Sequence, residues 1–316
     1  MEAVIPPIDR RIIENELSAD KFVRHTSNGG NKLYVITHHD APNTMREIGR
    51  LREISFRAAG GGSGKCVDID EFDTAKNPYR QLIVWDPKSK EILGGYRYMH
   101  AGTCKINELA TSELFLFSDD FQNKYLPRTI ELGRSFVQPN YQSTRLHSKG
   151  LYALDNLWDG LGALVLRYPD VNYFFGKVTM YVSYNITARN ILLHFLRKHF
   201  ADDERLVTPI HPLKIDIDEE WMDRIFTGKD YQEDYRILSR EVRMLGENIP
   251  PLINSYMNLS PSMKVFGTSL NPGFGGVEET GILINISDIY AEKIDRYTGP
   301  VRRIAKRLGA RWWIQR

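Results

Sequence analysis

An acid and a base lie three residues apart in the apolar segment Thr129–Val137, which reads T-I-E-L-G-R-S-F-V. In a regular strand Glu131 and Arg134 would point to opposite faces of the sheet, because side chains alternate along a strand. A β-bulge at Gly133 would bring both side chains to one face, and bulges recur beside active sites, where they leave backbone N–H groups unpaired. A carboxylate can accept a proton and unpaired N–H groups can bind an oxyanion, so this arrangement indicates a catalytic site. The alternative is an exposed strand with two solvated charges.

Five residues upstream have side chains that suit the same chemistry. Asp70 and Asp73 lie in an acidic turn, D-I-D-E-F-D, and Arg97 lies in the predicted strand segment G-G-Y-R-Y. Arg52 and Phe56 precede them on a predicted helix. Each residue alone is explained by an ordinary surface or capping role, because most charged side chains are solvated. Their order along the chain is what indicates a site.

The composition predicts a globular protein and excludes several functional classes. The chain has 316 residues, of which 42% are hydrophobic, so it is long enough to bury a core. Its 42 basic and 40 acidic residues give a net charge of +2, which argues against a nucleic-acid partner bound through bulk charge. Two cysteines exclude a disulfide framework and are typical of the reducing cytoplasm. We expect neither a signal peptide nor a spanning helix, because no run approaches the roughly 18 apolar residues that such a helix needs.

Three other motifs fail tests of residue type or context. The glycine-rich segment 59–66, A-G-G-G-S-G-K-C, lacks the first glycine and the final Ser or Thr of a Walker loop, so we interpret it as a mobile loop that closes over a substrate. His211 and Asp216 satisfy an H-x-x-x-x-D spacing but lie in a proline-flanked segment. The sequence H-H-D at 38–40 is not part of an H-E-x-x-H motif or an ordered cluster, so the sequence predicts no metal site.

Hydrophobic periodicity predicts helices and strands that alternate along the chain. The predicted helices are 9–18, 43–57 (with a cap near Asn43), 150–167 and 186–200. The predicted strands are 32–37, 79–85, 91–100, 129–138, 172–182, 263–269 and 281–286. Residues 201–248 are charged and broken, and we interpret them as an insertion. Both hairpin and crossover connections favour an α/β (α+β) fold, a mixed sheet with helices on its faces.

The order of the charged residues resembles that of two related enzyme families. It reads R-x-x-x-F, then D-x-x-D, then G-x-x-R, then E-x-x-R, and is similar to that of the acyl-homoserine lactone synthases. It resembles more closely the bacterial ornithine-lipid and glycine-lipid N-acyltransferases, a GNAT-related family with some members called hemolysin-like. The similarity continues in E-L-G-R-S-F-V-Q-P-N-Y, Y-F-F-G-K-V-T-M and I-P-P-L-I-N-S-Y, and covers roughly residues 45–200 and 249–288.

The resemblance implies a fold, a reaction and a set of partners. The fold is a GNAT-like domain over 1–290, with an N-terminal arm 1–42, the insertion 201–248 and a basic amphipathic tail 291–316. The reaction moves a fatty acyl group, a 3-hydroxyacyl group, from an acyl carrier protein thioester to the amine of glycine or ornithine in aminolipid synthesis. No bound cofactor is implied; acyl-ACP or acyl-CoA is the donor.

The resemblance places these charged residues in the family's active site, and we hypothesise their roles from the chemistry of N-acyl transfer. Glu131 would take the proton of the acceptor ammonium, directly or through water, and Asp70 or Asp73 would orient that ammonium. Arg97 and Arg134 would pair with these carboxylates, or bind the acceptor carboxylate or a phosphopantetheine phosphate. Residues predicted to line the substrate site are Arg52, Phe56, Gly133, Phe174 and Phe175, with the segment 114–117 as a further part of an acyl slot.

One departure from the GNAT pattern bears on the donor. The usual coenzyme A loop, R/Q-x-x-G-x-G/A, should follow the fourth strand, but residues 142–150 read Q-S-T-R-L-H-S-K-G. This departure disfavours free acetyl-CoA. A thiolate leaving group needs little protonation, because the pKa of a thiol is about 8.5.

The last predicted segment carries basic residues and tryptophans. Between Lys293 and Arg316, eight basic residues and one acid interleave with Ile304, Trp312 and other apolar residues. This pattern suits an anionic membrane surface or the acidic face of a carrier protein, so we expect a cytoplasmic protein at the periphery of the inner membrane. The alternative is a solvated terminal helix whose tryptophans pack on the domain. The functional alternatives are a lactone-forming signal synthase and a membrane-perturbing, hemolysin-like protein that is not an enzyme.

Overall fold

A mixed β-sheet of eight strands forms the centre of our computed structural model, which describes residues 1–142, 150–215, 217–293 and 295. The strands in chain order are β1 (Phe22–His25), β2 (Lys32–Ile36), β3 (Arg80–Asp86), β4 (Glu91–His100), β5 (Phe115–Phe117), β6 (Thr129–Val137), β7 (Tyr173–Met180), β8 (Val207–Pro209), β9 (Lys264–Asn271) and β10 (Val277–Asn285). The sheet order is β1-β2-β3-β4-β6-β7-β10-β9, and β5 pairs with β8 in a small second sheet. Every strand predicted from periodicity is present, with ends shifted by a few residues.

Helices cover both faces of this sheet. They are α1 (Arg10–Glu16), α2 (Pro42–Ala59), α3 (Glu71–Thr74), α4 (Gly150–Arg167), α5 (Ile186–Phe200), α6 (Glu219–Ile225), α7 (Tyr231–Met244) and α8 (Pro251–Met257). On one face α1 and α2 pack on Ile83 and Trp85, and on the other α4 and α5 pack on Tyr98 and Ile130. The predicted α/β architecture, a mixed sheet between two helical layers, is confirmed.

The start of α2 differs from the prediction of an Asn43 cap. The helix begins at Pro42, and Glu16 provides the cap from α1. Its carboxylate accepts the backbone N–H of Asn43 at 3.1 Å and that of Thr44 at 2.7 Å. A carboxylate at this position satisfies orphan N–H groups and faces the positive end of the helix dipole. This cap comes from 27 residues away, so a local pattern could not have revealed it.

A bulge is present in β6, but it lies just after Gly133, the residue at which it was predicted. In the pairing with β4, Gly95 lies opposite Phe136 and Arg97 lies opposite Gly133. Two residue steps along β4 therefore correspond to three residue steps along β6. Arg134 is in the left-handed region with φ 50°, which non-glycine residues rarely adopt. The backbone therefore turns sharply at Arg134.

Beyond the bulge β6 and β7 separate. Their parallel ladder runs from Thr129 opposite Tyr173 to Leu132 opposite Gly176. β6 continues to Val137 and β7 to Met180 without further pairing between them among the described residues. The sheet therefore has a gap between these two strands.

Residues 201–248 are more ordered than their sequence predicted. They contain β8, α6 and α7, and Phe226, Leu238 and Val242 are fully buried in the core that includes α5. The prediction of a broken segment was wrong, because many of its apolar residues pack into the core. Whether this segment is an insertion stays a prediction.

The basic tail lies almost wholly outside the described residues, which include only 291–293 and 295 of it. Asp216 of the H-x-x-x-x-D spacing and the segment 143–149 also lie outside them. None of the helices that the structure describes has the length and apolar character to cross a bilayer.

Candidate active site

Six charged side chains form a buried network on the α2 side of the bulge. Its members are Arg52, Asp68, Asp70, Asp73, Arg97 and Arg134. Five of them were predicted from the order of charges; Asp68 lies in the same acidic turn but had no assigned role. Three arginines neutralise three aspartates, because burying a charge without a partner of opposite sign is strongly unfavourable.

The centre of this network is Arg97. Its Nη1 donates to Asp70 Oδ1 at 2.6 Å and lies 3.3 Å from Asp73 Oδ2. Arg52, fully buried, donates to the same Oδ2 of Asp73 at 3.0 Å. Burial alone would raise the pKa of Asp70, but the charges of Arg97 and Arg134 hold it well below the usual value. The Asp70 carboxylate is therefore ionised near neutral pH.

Arg134 reaches the same acidic turn from the bulge. Its Nε lies 3.0 Å from Asp68 Oδ2, and its Nη2 lies 3.5 Å from Asp70 Oδ2. The guanidinium also stacks 4.1 Å from the centre of the Phe274 ring. These contacts hold Arg134 in its uncommon backbone conformation.

Glu131 points to the same face of the sheet but binds different partners. Its carboxylate accepts the Tyr79 hydroxyl at 2.7 Å, the Thr111 hydroxyl at 2.6 Å and the Thr111 N–H at 3.2 Å. Burial raises its pKa, and these hydrogen bonds and Arg97 oppose that effect. The Arg97 guanidinium lies 4.9 Å from the centre of the Tyr79 ring. Arg97 thus stands between Glu131 and the acidic turn, and Glu131 is not paired with Arg134 in the described structure.

A cavity of about 570 Å³ occupies the gap between β6 and β7. Most of its wall is apolar, and that part includes Leu132, Leu157, Trp158, Leu161, Ile282 and Ile284. Four predicted lining residues, Phe56, Gly133, Phe174 and Phe175, lie in the wall. The apolar part has the composition expected of an acyl-chain site.

Five predicted site residues and one predicted segment do not line this cavity; of these, Asp70, Asp73 and Arg97 belong to the ion-pair network beside it. Arg52 and Glu131 are buried beside it, and the segment 114–117 packs with β8 in a separate aromatic cluster around Phe121. Leu114 and Phe115 of this run are buried in the cluster and Leu116 is exposed, so the run does not form the predicted part of an acyl slot.

The open edge of β6 forms one side of the cavity. Residues 133–137 line it, and the β6–β7 ladder ends before them at Leu132. Backbone groups that lack a ladder partner are available to a ligand, as expected beside a bulge. This edge is where N–H groups could bind an oxyanion.

A second ion pair in the cavity wall was missed by the sequence analysis. Lys177 Nζ lies 2.8 Å from Glu279 Oε1, and the Thr179 hydroxyl donates to Glu279 Oε2 at 3.1 Å. Burial alone would raise the pKa of Glu279, but the Lys177 and Arg134 charges lower it below its usual value. Lys177 and Glu279 are separated by 102 residues in sequence. Their only sequence signal is the presence of charged residues within apolar strands.

The glycine-rich loop is anchored by a carboxylate. Glu53 accepts the N–H of Ser63 at 3.0 Å, the Ser63 hydroxyl at 2.8 Å and the N–H of Gly64 at 2.8 Å. Gly60, with φ 96°, ends α2 in a left-handed cap. The loop continues the end of α2, and whether it closes over a substrate stays a prediction.

Comparison with known proteins identifies the family. Residues 51–150 match the model of the acetyltransferase (GNAT) domain. The chain is 56% identical over 302 residues to a glycine N(alpha)-acyltransferase of Phocaeicola vulgatus, a match that covers 94% of this chain and 93% of the relative. The chain belongs to the glycine N(alpha)-acyltransferase family. The predicted resemblance to the ornithine-lipid and glycine-lipid N-acyltransferases is confirmed.

Two more distant similarities were also found for this member of the glycine N(alpha)-acyltransferase family. An L-ornithine N(alpha)-acyltransferase of Brucella abortus is 26% identical over 249 residues, covering 75% of this chain and 76% of the relative. The structure of a CoA-dependent acyl-homoserine lactone synthase, BjaI, with SAM and isopentyl-CoA, is 10% identical with a TM-score of 0.39, covering 89% and 91% of the two chains.

Proposed function

We propose that this protein transfers a fatty acyl group from the thioester of an acyl carrier protein to the amine of glycine. The observation that carries the proposal is the cavity between β6 and β7, which joins an apolar chamber to a bulged strand edge and a charged end. The name and 56% identity of the Phocaeicola relative support glycine over ornithine as acceptor.

The apolar part of the cavity would hold the acyl chain. Leu157 and Trp158 of α4 and Ile282 of β10 form walls on which a chain can bury its methylenes, each worth about 0.8 kcal/mol. A 3-hydroxyl group would be accommodated at the polar end. The thioester carbonyl would lie at the open edge near Gly133, where the chain is not paired with β7.

The reaction needs a neutral amine and a stabilised oxyanion. The amine nitrogen attacks the thioester carbon, a C–N bond forms, and the negative charge that develops on the carbonyl oxygen is bound by N–H groups of the β6 edge. Each such donor lowers the barrier by about 3 to 4 kcal/mol. The C–S bond then breaks, and the thiolate leaves and takes one proton.

The ion-pair network around Arg97 would set the geometry of this edge. Arg134 is part of the bulge and is fixed by Asp68 and Asp70, so the backbone at Gly133 is held from one side. We propose that Asp70, Asp73, Arg97 and Arg134 act by fixing the bulge and its charge. Arg134 alone of these four also lines the cavity and can meet a carboxylate or phosphate of a substrate.

The role of Glu131 as proton acceptor stays a prediction. Its carboxylate is buried, accepts three hydrogen bonds and does not line the cavity, so a proton would have to reach it through water. A positioning role fits these contacts better, because Glu131 ties Thr111 and Tyr79 to β6 beside Arg97.

The proposed partners follow from the donor and the product. An N-acyl amino acid with a long chain partitions to a membrane, so we propose a cytoplasmic enzyme that works at the inner membrane surface and needs no bound cofactor. The tail 291–316, with its basic residues and tryptophans, would bind that anionic surface or the carrier protein.

A reconstituted assay tests this function. Purified full-length protein is given acyl-ACP or acyl-CoA of equal chain length, each with and without a 3-hydroxyl group, together with glycine or ornithine. Mass spectrometry should detect N-acylglycine, formed fastest from the carrier-protein thioester. Absence of an N-acyl amino acid with every pair, or release of a lactone instead, would contradict the proposal.

A further inference from the structure

We propose that Lys177 and Glu279 form the acceptor site, in which Glu279 binds the ammonium group of the amino acid and accepts its proton while Lys177 binds its carboxylate. This inference rests on the proposed function and names the residues that recognise the acceptor. It assigns the proton to a cavity-lining carboxylate that the order of charges in the sequence did not include.

The two residues lie on neighbouring strands and face the cavity together. In the β7–β10 pairing, Glu279 lies opposite Thr179 and Gly281 lies opposite Lys177, so the two side chains are diagonal neighbours on one face. Both line the cavity. Their side chains, with Lys177 Nζ 2.8 Å from Glu279 Oε1, form the charged end of a cavity whose other walls are mainly apolar.

Each polar group around Glu279 can be named. Beside Lys177 it accepts the Thr179 hydroxyl, and Asn271 Nδ2 donates to Oε1 at 3.3 Å. The charged or titratable groups that face it are Lys177 and Tyr181 on β7 and Arg134 on β6. Burial, with the charge of Glu279, raises the pKa of Tyr181 to about 12, so this phenol is neutral at physiological pH.

An ion pair in an apolar cavity calls for a functional explanation. Isolating two charges from water costs as much as their attraction returns, so a hydrophobic pair of similar volume would serve stability equally well or better. Perturbed charged groups in a concave site are therefore candidates for function. Thr179 and Asn271 orient Glu279, which leaves the pair poised at the cavity wall.

A zwitterion matches this pair. In an amino acid the ammonium and carboxylate groups are joined through a single carbon, so their separation suits two opposite charges on adjacent strands. When the acceptor enters, its carboxylate takes the place of Glu279 beside Lys177 and its ammonium takes the place of Lys177 beside Glu279. Arg134 lies on the same wall and adds positive charge for the carboxylate.

The exchange of partners also supplies the proton acceptor. The Lys177 charge lowers the pKa of Glu279 in the free protein. Once Lys177 is engaged by the acceptor carboxylate, that effect weakens, and Glu279 accepts a proton from the ammonium more readily. The ammonium loses two protons in all: one goes through Glu279 to solvent, and the other goes to the departing thiolate.

The adjacent residue provides a matched control. Glu278 precedes Glu279 on β10, points to the opposite face and pairs with Arg189 outside the cavity. Glu278→Gln removes the same charge from the same strand and breaks a comparable ion pair. It should leave acceptor use unchanged, within about twofold.

Acceptor kinetics of the full-length protein test the inference. Glu279→Gln should lower kcat/KM for glycine about 100-fold or more, the range of a lost general base, with little change in the KM of the thioester. Lys177→Met should raise the KM for glycine and abolish the preference for glycine over glycinamide, which lacks the carboxylate charge. Wild-type kinetics for Glu279→Gln, or retained discrimination against glycinamide in Lys177→Met, would overturn the inference.

A binding measurement separates this inference from the proposed function. Glycine is titrated into the wild type, Glu278→Gln and Glu279→Gln, and saturation-transfer NMR reports its binding without a donor. If the signal is lost in Glu279→Gln but kept in the wild type and in Glu278→Gln, the acceptor site is supported even if the thioester donor has been wrongly identified. If Glu279→Gln does not fold, Thr179→Val serves instead, because it removes one hydrogen bond to Glu279. It should raise the KM for glycine about fivefold, which corresponds to a loss of about 1 kcal/mol. An unchanged KM would count against the site.

Discussion

Arg97 on β4 lies opposite Gly133 on β6, at the residue where the bulge begins. The side chain of Arg97 crosses over this glycine, and a Cβ added there would meet Arg97 Nε at 3.6 Å, an ordinary contact. The guanidinium continues to Asp70 and Asp73. One side chain therefore links the acidic turn before α3 to the strand that opens the cavity.

Loss of the Arg97 charge should destabilise the protein strongly. Arg97→Met leaves Asp70 and Asp73 with one fewer buried partner, and breaking a buried pair costs about 3–5 kcal/mol. Urea unfolding measures the change. Arg11→Met is the control, because its pair with Asp9 is exposed to solvent, where ion pairs contribute little to stability. Equal effects of the two variants would show that the network does not stabilise the fold.

Two glycines in the paired strands should respond differently to alanine. At Gly176 an added Cβ would lie 2.6 Å from the backbone oxygen of Leu132, so Gly176→Ala must push β6 and β7 apart at their last pair. At Gly133 the nearest atom is at 3.6 Å and φ is not positive, so Gly133→Ala should change stability by less than about 1 kcal/mol. Thermal unfolding of both variants checks the order. A larger loss for Gly133→Ala would contradict the geometry at the bulge.

Replacement of Glu131 distinguishes a positioning role from proton transfer. Glu131→Gln places an amide NH₂ against donors from Tyr79 and Thr111, which should lower the free energy of unfolding by about 1–3 kcal/mol. Turnover should stay within about tenfold of wild type if Glu279 accepts the proton. Thr111→Val, which removes one donor from the same carboxylate, is the control for stability alone. A loss of turnover greater than about 100-fold in a folded Glu131→Gln variant would restore Glu131 as the base.

The stabilisation from Asp70 should depend on pH in a defined direction. Its pKa is held below the usual Asp value by Arg97 and Arg134, so the ionised form stabilises the folded state at neutral pH. This contribution is complete above the ordinary Asp pKa of 3.8 and is lost as the pH falls from there toward the lower pKa of the folded state. The stability difference between wild type and Asp70→Asn should therefore shrink below about pH 4, as measured by urea unfolding. A difference that grows on acidification would mean that the pKa of Asp70 is raised in the folded state instead.

Local sequence patterns were sufficient for much of the fold and part of the site. Amphipathic spacing located α4 and α5, and Gly133 between charged residues indicated the bulge. The clustering of Asp70, Asp73, Arg97 and Arg134 followed from the order of residues and was found in the structure. These features depend on nearby residues or on a family pattern with a fixed order.

The features that were missed depend on contacts between distant parts of the chain. The Glu16 cap on α2 comes from α1. Lys177 and Glu279, which pair across neighbouring strands, are separated by 102 residues in sequence. The burial of Glu131 depends on Thr111, which lies in a connection with no periodic pattern. Periodicity reports the face on which a residue lies, but the partner across that face is set by the tertiary fold.

The short parallel ladder between β6 and β7 has a mechanical consequence. Among the described residues, the N-terminal strands β1–β4 and β6 meet the C-terminal strands β7, β10 and β9 through four residue pairs, from Thr129–Tyr173 to Leu132–Gly176. Beyond this seam the two parts of the sheet face each other across space that an acyl chain would fill. A bound donor would thus complete the hydrophobic interior at the seam, and the enzyme would be stiffest when loaded with its substrate.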